Sequence, residues 1–157
     1  MNKDIKYWIT YLEKVINDIE LLAIEEIINS EDGHFRVGAC DFFFDPISQN
    51  VYINYISKGY RYKMSYGSKK DKYYNWTSSS YSTGEIKEAI AGTGLKWLNS
   101  ILKDDDKGKQ IYDILNKFIE EHDNTKDSPS LNEIEDEFCK DIKSSKGIKY
   151  TYKTSYI

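Results

Sequence analysis

The sequence predicts an α+β fold in a single globular domain spanning residues 1–157. Three patterns support this: an N-terminal apolar repeat of helical period, alternating apolar and polar residues after His34, and further helical repeats after Ser82. The predicted order is a long N-terminal helix, an antiparallel sheet of three to four strands, three helices and a possible C-terminal strand. With 157 residues, 39% of them hydrophobic, the chain can bury a substantial core.

The first predicted element is a long amphipathic helix. Its apolar residues recur at steps of three and four along the chain, which places them on one stripe: Ile5, Trp8, Ile9, Leu12, Val15, Ile16, Ile19, Leu22, Ala23 and Ile27. The polar cluster from Asn29 to Gly33 should end the helix, because glycine readily adopts the turn conformation that a helix exit requires.

An antiparallel hairpin should follow the helix. Its first strand is predicted from His34 to Phe44, with the phenylalanines at 42–44 buried on both faces. The pair Asp45 and Pro46 favours a turn before the second strand, residues 51–57. A third strand is predicted after Gly59, where one face carries Tyr60, Tyr62, Met64 and Tyr66 and the other carries Arg61, Lys63 and Ser65.

The second half of the chain is predicted to be mainly helical. Residues 67–83 form a long loop with room for a short irregular strand, and Ser82 with Glu85 has the spacing of a helix-capping box. The helix that follows should break near Thr93, which lies between two glycines. Helices over residues 107–122 and after Ser130 come next, and the alternation in residues 148–156 predicts the C-terminal strand.

Charge and the distribution of apolar residues predict the partner class and the compartment. A net charge of -4 and a pI near 5.3 argue against an independent nucleic-acid binder and favour a basic partner. Early charges interrupt any signal peptide, and no apolar run approaches the ~18 residues of a spanning helix. We therefore expect a cytoplasmic protein without a membrane segment, in which Cys40 and Cys139 are free, buried thiols.

Motifs for catalysis or cofactor binding are weak throughout. The glycines at 92 and 94 lack the third glycine of a dinucleotide-binding motif and the Gly-Lys-Ser/Thr of a phosphate loop. A calcium loop starting at Asp104 would need glutamate at its twelfth position, where Leu115 stands. His122 suits the negative end of a helix dipole, which is a structural role. The sequence therefore predicts no enzyme activity, no cofactor and no metal.

The strongest functional pattern is the stretch of tyrosines and tryptophan among lysines and arginine in residues 51–81. Such rings and cations dominate protein-binding hot spots, so we predict partner contacts from Tyr60, Arg61, Tyr62, Lys63, Tyr66, Tyr73, Tyr74 and Trp76. Tyrosines 60, 62 and 66 fit a core-facing row equally well. Acidic clusters would attract a basic partner, which adds Asp104, Asp105, Asp106, Glu120, Glu121 and Asp123.

The order of these parts resembles the immunity proteins of bacterial polymorphic-toxin and contact-dependent inhibition systems. The shared features are the apolar helix through Ile28, the strand ending at Phe44 with its Asp45-Pro46 turn, the strand over 51–57, and a Tyr/Trp-bearing loop before helices. The resemblance implies a cytoplasmic protein that binds and stoichiometrically neutralises a cognate toxin domain, with nucleases as one expected class.

Two alternatives stay open at this point. In the first, the sheet tyrosines stack on bases and the neighbouring lysines contact phosphates, so that the chain is a nucleic-acid-binding module. In the second, the fold contains the site of a small hydrolase or transferase, which would require a deep pocket that holds His34 or His122 beside Cys40, Cys139 or a carboxylate.

Overall fold

The computed structural model describes residues 4–57, 61–63, 73–75 and 80–142, with the backbone alone for 61–63, 73–75 and 80. The α+β class is confirmed: an N-terminal helix is followed by a four-stranded antiparallel sheet and then by several helices. The buried strand residues all lie on one face of that sheet; the first two helices pack against the sheet, and the later helices pack against other helices. No helix in the described ranges has the length and apolar character needed to cross a bilayer.

The N-terminal helix α1, Ile5–Asn29, agrees with the prediction. Asp4 caps it, because the Asp4 carboxylate accepts the backbone N–H of Tyr7 at 2.9 Å. At the other end the Ser30 hydroxyl donates to the carbonyl of Ile27 at 2.8 Å. The apolar stripe is buried as expected, through Trp8, Leu12, Val15, Ile16, Ile19, Ala23 and Ile27.

The predicted strand from His34 to Phe44 is wrong as a single element, because the chain reverses in its middle. Strand β1, His34–Val37, pairs antiparallel with β2, Cys40–Asp45, through a two-residue turn. Gly38, the first turn residue, has φ +55°, as a type II′ hairpin requires. Burial of phenylalanines 42–44 on both faces is also wrong: Phe42 is buried and Phe44 is 44% exposed.

The next strand and its turn are confirmed. Strand β3, Asn50–Ser57, pairs antiparallel with β2 across the turn that Asp45 begins, and the Asp45 carboxylate accepts the N–H of Ser48 at 2.8 Å. Strands β4, Arg61–Lys63, and β5, Tyr73–Asn75, form a separate two-stranded sheet. Within the described residues, the part of the predicted third strand that forms β4 pairs with β5 and not with the main sheet.

The fourth strand of the main sheet, β6, Ser80–Gly84, was predicted as the end of a long loop. It pairs antiparallel with β3 and completes the order β1-β2-β3-β6. The predicted capping box at Ser82 is consequently wrong. Glu85 is the N-cap, and its partner in the capping box is Glu88. The polar residues of β6 carry no apolar alternation, so only the pairing with β3 reveals the strand.

Four helices complete the described chain: α2, Ile86–Thr93; α3, Leu95–Leu102; α4, Lys109–Asp123; and α5, Leu131–Phe138. The predicted break near Thr93 is confirmed at Gly94, φ +90°, and it accounts for the fourth helix where three were predicted. The helix predicted after Ser130 is confirmed, and Ser130 forms a capping box with Glu133 at its start. The predicted C-terminal strand lies outside the described residues.

The core joins α1, the inner face of the sheet and the later helices. Trp8 of α1 meets Phe118 of α4 edge to face, with 5.7 Å between ring centroids. Cys40 and Cys139 are both buried and free, as predicted. Burial raises the pKa of the Cys40 thiol to about 12, so this cysteine remains a neutral thiol at physiological pH.

Candidate functional site

One face of the four-stranded sheet carries none of the core. Successive side chains of a strand point to opposite faces, and the buried residues Phe35, Val37, Phe42, Val51 and Ile53 all belong to the inner face. We call the opposite side the outer sheet face. Its members are His34, Arg36, Asp41, Phe43, Tyr52, Asn54, Ile56, Tyr81 and Thr83.

A row of three rings crosses the outer sheet face. His34, Phe43 and Tyr52 are direct cross-strand partners on β1, β2 and β3. The ring centroids are 5.6 Å apart for His34 and Phe43, and 6.2 Å apart for Phe43 and Tyr52. Rings on neighbouring strands support one another at these distances, which gives the row a defined shape.

Polar side chains form a second row beside the rings. Nδ1 of His34 donates to the Asp41 carboxylate at 3.0 Å, and the Thr83 hydroxyl donates to Asn54 Oδ1 at 3.2 Å. Arg36 binds the Asp32 carboxylate at 3.0 Å. These bonds hold the polar groups in place beside the rings, so the face offers both apolar contact and hydrogen-bonding groups.

Tyr81 is the most exposed ring of the outer sheet face. It lies on the edge strand β6 opposite Ile56 of β3 and is 71% exposed. The indole N–H of Trp97 donates to the Ile56 carbonyl at 2.8 Å, which ties this end of β3 to helix α3. A rigid backbone beneath an exposed ring suits a docking anchor, because little conformational freedom is lost on binding.

The aromatic residues predicted as partner contacts lie largely beyond the described side chains. Tyr60, Tyr66 and Trp76 fall outside the described residues. The backbone of β4 and β5 places Arg61 opposite Asn75, Tyr62 opposite Tyr74, and Lys63 opposite Tyr73. The two predicted groups of rings, before and after residue 67, are thus brought together by one antiparallel pairing.

The two predicted acidic clusters are not brought together. Asp104, Asp105 and Asp106 precede helix α4, whereas Glu120, Glu121 and Asp123 are in its last turn. A helix of 15 residues is about 22 Å long, so the clusters lie at opposite ends of it. A partner surface would have to span about 22 Å to contact both clusters.

Several acidic side chains already have structural partners. Asp104 accepts the backbone N–H groups of Asp106 at 2.9 Å and Gly38 at 3.3 Å. Asp123 pairs with Lys96 at 3.5 Å. Burial, together with a hydrogen bond to Glu121, raises the pKa of the Tyr11 phenol. These contacts organise the turns around α4, and they favour a structural role for part of each cluster.

Each histidine lies beside a carboxylate, His34 by Asp41 and His122 by Asp123, and both cysteines are buried. His34 projects from the outer sheet face, whereas Cys40 lies on the inner face. His122 Nε2 donates to the Pro129 carbonyl at 2.6 Å, and its ring packs against Trp8 with centroids 5.2 Å apart. The thiol of Cys139 points to the Lys87 carbonyl at 3.7 Å. Within the described ranges no group of three metal-binding side chains occurs.

An open groove lies between α3 and α5. It has a volume of about 550 Å³ and includes Thr93, Trp97, Ser100, Asn132 and Glu135 in its lining. The Glu135 carboxylate accepts the backbone N–H of Leu95 at 2.9 Å and so caps the start of α3. Glu135 supplies the one carboxylate of the groove, and that carboxylate already caps α3. The outer sheet face is therefore the better candidate for a functional site.

The Asp104 contacts predict an acid-dependent contribution to stability. Donation from the backbone N–H of Asp106, and then of Gly38, lowers the pKa of Asp104 from its ordinary value of 3.8. A carboxyl group whose pKa is lower in the folded state stabilises the fold fully at pH values well above its ordinary pKa of 3.8. This stabilisation is lost as the pH falls through the pKa of the folded state. Urea unfolding between about pH 5 and pH 3 should lose less stability in Asp104→Asn than in the wild type. Equal losses in both proteins would contradict this assignment.

The sequence patterns missed the outer sheet face because its members come from four strands, one of them unrecognised. Phe43 was assigned to a buried run, and His34 to an ordinary strand start. An available signal was the Gly38-Ala39 pair, which reads as a hairpin turn and would have set the register of β1 against β2. No protein-family model, curated protein or solved structure matches the chain.

Proposed function

We propose that the chain is an immunity protein that binds one cognate bacterial toxin domain and neutralises it stoichiometrically. The observation that supports this most is the outer sheet face, which carries an aromatic row and the exposed Tyr81 without a covering helix in the described part of the chain. Rigid aromatic anchors surrounded by fixed polar groups are the composition of a protein-binding hot spot.

Charge favours a basic protein as the partner. On the outer sheet face Arg36 is already paired with Asp32, and His34 is bonded to Asp41. The chain as a whole has a net charge of -4. Nucleic-acid binding draws most of its affinity from cations that contact phosphates, and an acidic chain opposes that term. A toxin domain with a basic active site, such as a nuclease, would be steered toward this surface.

Co-expression tests this function. A toxin domain encoded next to the gene for this chain should arrest growth when produced alone, and growth should recover when the chain is produced with it. The purified proteins should form a one-to-one complex. Continued arrest without a complex would contradict the proposal, as would recovery of RNA or single-stranded DNA on the purified chain with affinity that falls steeply in added salt.

Two tyrosines on the outer sheet face should contribute strongly to toxin binding. Tyr52→Ala and Tyr81→Ala are each expected to weaken binding by about 2 kcal/mol, roughly 30-fold, because each removes a ring anchor. Titration calorimetry measures the change, with Tyr7→Ala as the matched control because Tyr7 is an exposed tyrosine on α1. Equal affinity of all three variants and the wild type would place the contact elsewhere.

A further inference from the structure

The two edge strands of the main sheet differ in how they are protected. Strand β1 carries the exposed Arg36, and the backbone N–H of His34 donates to the Asp32 carboxylate at 3.1 Å. Charged side chains and locally satisfied donors hinder another strand from pairing with an edge. Strand β6, with the sequence Ser-Tyr-Ser-Thr-Gly, contains no charged residue and no proline. Of the two edges, β6 is therefore the better suited to accept a further strand.

Strand β6 directs backbone hydrogen-bonding groups away from the sheet. It pairs with β3 from Ser80 opposite Ser57 to Gly84 opposite Ile53, and it is the last strand in the order β1-β2-β3-β6. Residues of an antiparallel strand direct their N–H and C=O groups alternately to its two sides. Every second residue of β6 thus points these groups away from β3, where no described strand receives them.

The end of helix α5 lies close to the end of β6. The Cys139 thiol donates to the Lys87 carbonyl at 3.7 Å, and Lys87 Nζ lies 4.8 Å from the centroid of the Phe138 ring. Lys87 is in the first turn of α2, three residues after Gly84, the last residue of β6. The chain therefore enters residues 143–157, which lie outside the described residues, near the C-terminal end of β6.

Residues 148–156 have the sequence pattern of a strand and can reach β6. A face made mainly of tyrosines alternates there with lysine, threonine and serine. The connector 143–147 extends to ~17 Å, whereas Gly84 and Lys87 are at most ~11 Å apart along the chain. A strand that starts beside Gly84 and runs back along β6 is antiparallel to it. A parallel strand would first have to cover the length of β6, which is a further ~14 Å.

Charge favours the same placement. Residues 142–157 contain no aspartate or glutamate, and their lysines are Lys143, Lys146, Lys149 and Lys153. Near the end of β6 lie Glu20 of α1 and Glu85, the N-cap of α2. Burial, and then the charge of Glu85, raise the pKa of Glu20. Neither carboxylate belongs to an ion pair of the described residues, so a lysine placed beside them would offset their repulsion.

We propose that residues 148–156 dock on the edge of β6 as an antiparallel fifth strand of the main sheet. Backbone hydrogen bonds to β6 attach the strand, and the lysines lie toward Glu20 and Glu85 at the end where it begins. The docked strand covers the unprotected edge and places its side chains beside Tyr81. This inference concerns a segment of the chain itself and does not rest on the toxin-binding proposal.

Hydrogen exchange of the full chain, followed by nuclear magnetic resonance, tests the docked strand. Every second amide of residues 148–156 should exchange at least ~10-fold more slowly than in a free peptide of the same sequence, because alternate N–H groups bond to β6. Cross-strand nuclear Overhauser contacts with Tyr81 or Thr83 should accompany this protection. Exchange at the free-peptide rates, or contacts of the segment with elements other than β6, would overturn the proposal.

Proline variants test the pairing itself. Thr151→Pro with Tyr152→Pro removes two neighbouring N–H groups, one of which must face β6, and should speed exchange of the remaining strand amides at least ~10-fold. The matched control is Ser144→Pro with Ser145→Pro in the connector, which should leave the protection unchanged. Amides of β2 and β3 should stay protected in both proteins, which shows that the fold is retained. Unchanged protection in the strand variant would overturn the proposal.

A charge variant tests why the segment chooses this edge. Glu20→Lys should speed exchange of the strand amides about 3-fold, because it replaces attraction of the lysines by repulsion. Asp105→Lys makes the same charge change beside the β1–β2 turn, at the other edge of the sheet, and should have no effect. Equal effects of the two variants would show that overall charge holds the segment, and protection that falls on dilution would make a second copy the partner of β6. Either result would overturn the proposal.

Discussion

Replacing Phe118 by alanine is expected to lower the free energy of unfolding by about 3–5 kcal/mol, because the ring is wholly buried between two helices. It meets Trp8 edge to face at 5.7 Å and Tyr11 at 4.8 Å between centroids. These contacts join α1 to α4, and a cavity there removes apolar burial and aromatic pairing together. Chemical denaturation monitored by circular dichroism measures the loss.

Tyr112→Ala supplies the control on the same helix. Its ring is only partly buried, so the expected loss is about 1 kcal/mol or less. If Phe118→Ala lost no more stability than Tyr112→Ala, the packing of α4 against α1 described above would be wrong. The two variants should also differ in the midpoint of thermal unfolding, in the same order.

Replacing Gly38 by alanine is expected to lower the free energy of unfolding by about 3 kcal/mol. Gly38 has φ +55°, which side chains with a Cβ rarely adopt, and an added Cβ would overlap the carbonyl oxygen of Ile101 and lie 2.9 Å from that of Lys103. Both neighbours are backbone atoms at the end of α3, so they cannot move aside as a flexible side chain would. The neighbouring backbone N–H of Ala39 also donates to the carbonyl oxygen of Ile101 at 2.7 Å.

Gly33→Ala separates the two causes of the stability loss expected in Gly38→Ala, which are the positive φ and the steric overlap of the added Cβ. Gly33 also has positive φ, +75°, but an added Cβ would meet nothing within 4 Å. Its substitution should therefore lower the free energy of unfolding by the conformational part alone, about 1–2 kcal/mol. Similar losses for Gly33→Ala and Gly38→Ala, measured by urea unfolding, would show that the β1–β2 turn does not press against α3 as described.

Helical elements were predictable from the sequence because their burial follows a local period. Trp8, Leu12 and Ile19 repeat the helical step, and Ser130 with Glu133 marks a helix start through contacts within one turn. The break at Gly94 was predictable for the same reason, since glycine disfavours a helix interior. The determinants of these features lie a few residues apart in the chain.

The strand arrangement depended on partners that are distant in sequence. Gly38 fitted an alternating strand pattern as well as a turn, and in the structure the turn lies against the carbonyl of Ile101, which accepts the N–H of Ala39 at 2.7 Å. β6 became a strand through pairing with β3, as in the partnership of Tyr81 and Ile56. The outer sheet face could not be named before that register was known, because a shift of one residue moves every side chain to the other face.

The most direct measurement of the proposed docking surface is nuclear magnetic resonance mapping of the isotope-labelled chain during titration with the partner that we propose, a toxin domain encoded next to its gene. Binding at the outer sheet face predicts that the amide signals of Phe43, Tyr52 and Tyr81 shift or broaden until one equivalent of toxin has been added. Unchanged signals at all three residues, in a mixture where the toxin is nevertheless neutralised, would contradict docking at this face. Turnover of a substrate by the chain alone would contradict the proposal that the chain acts by binding a partner.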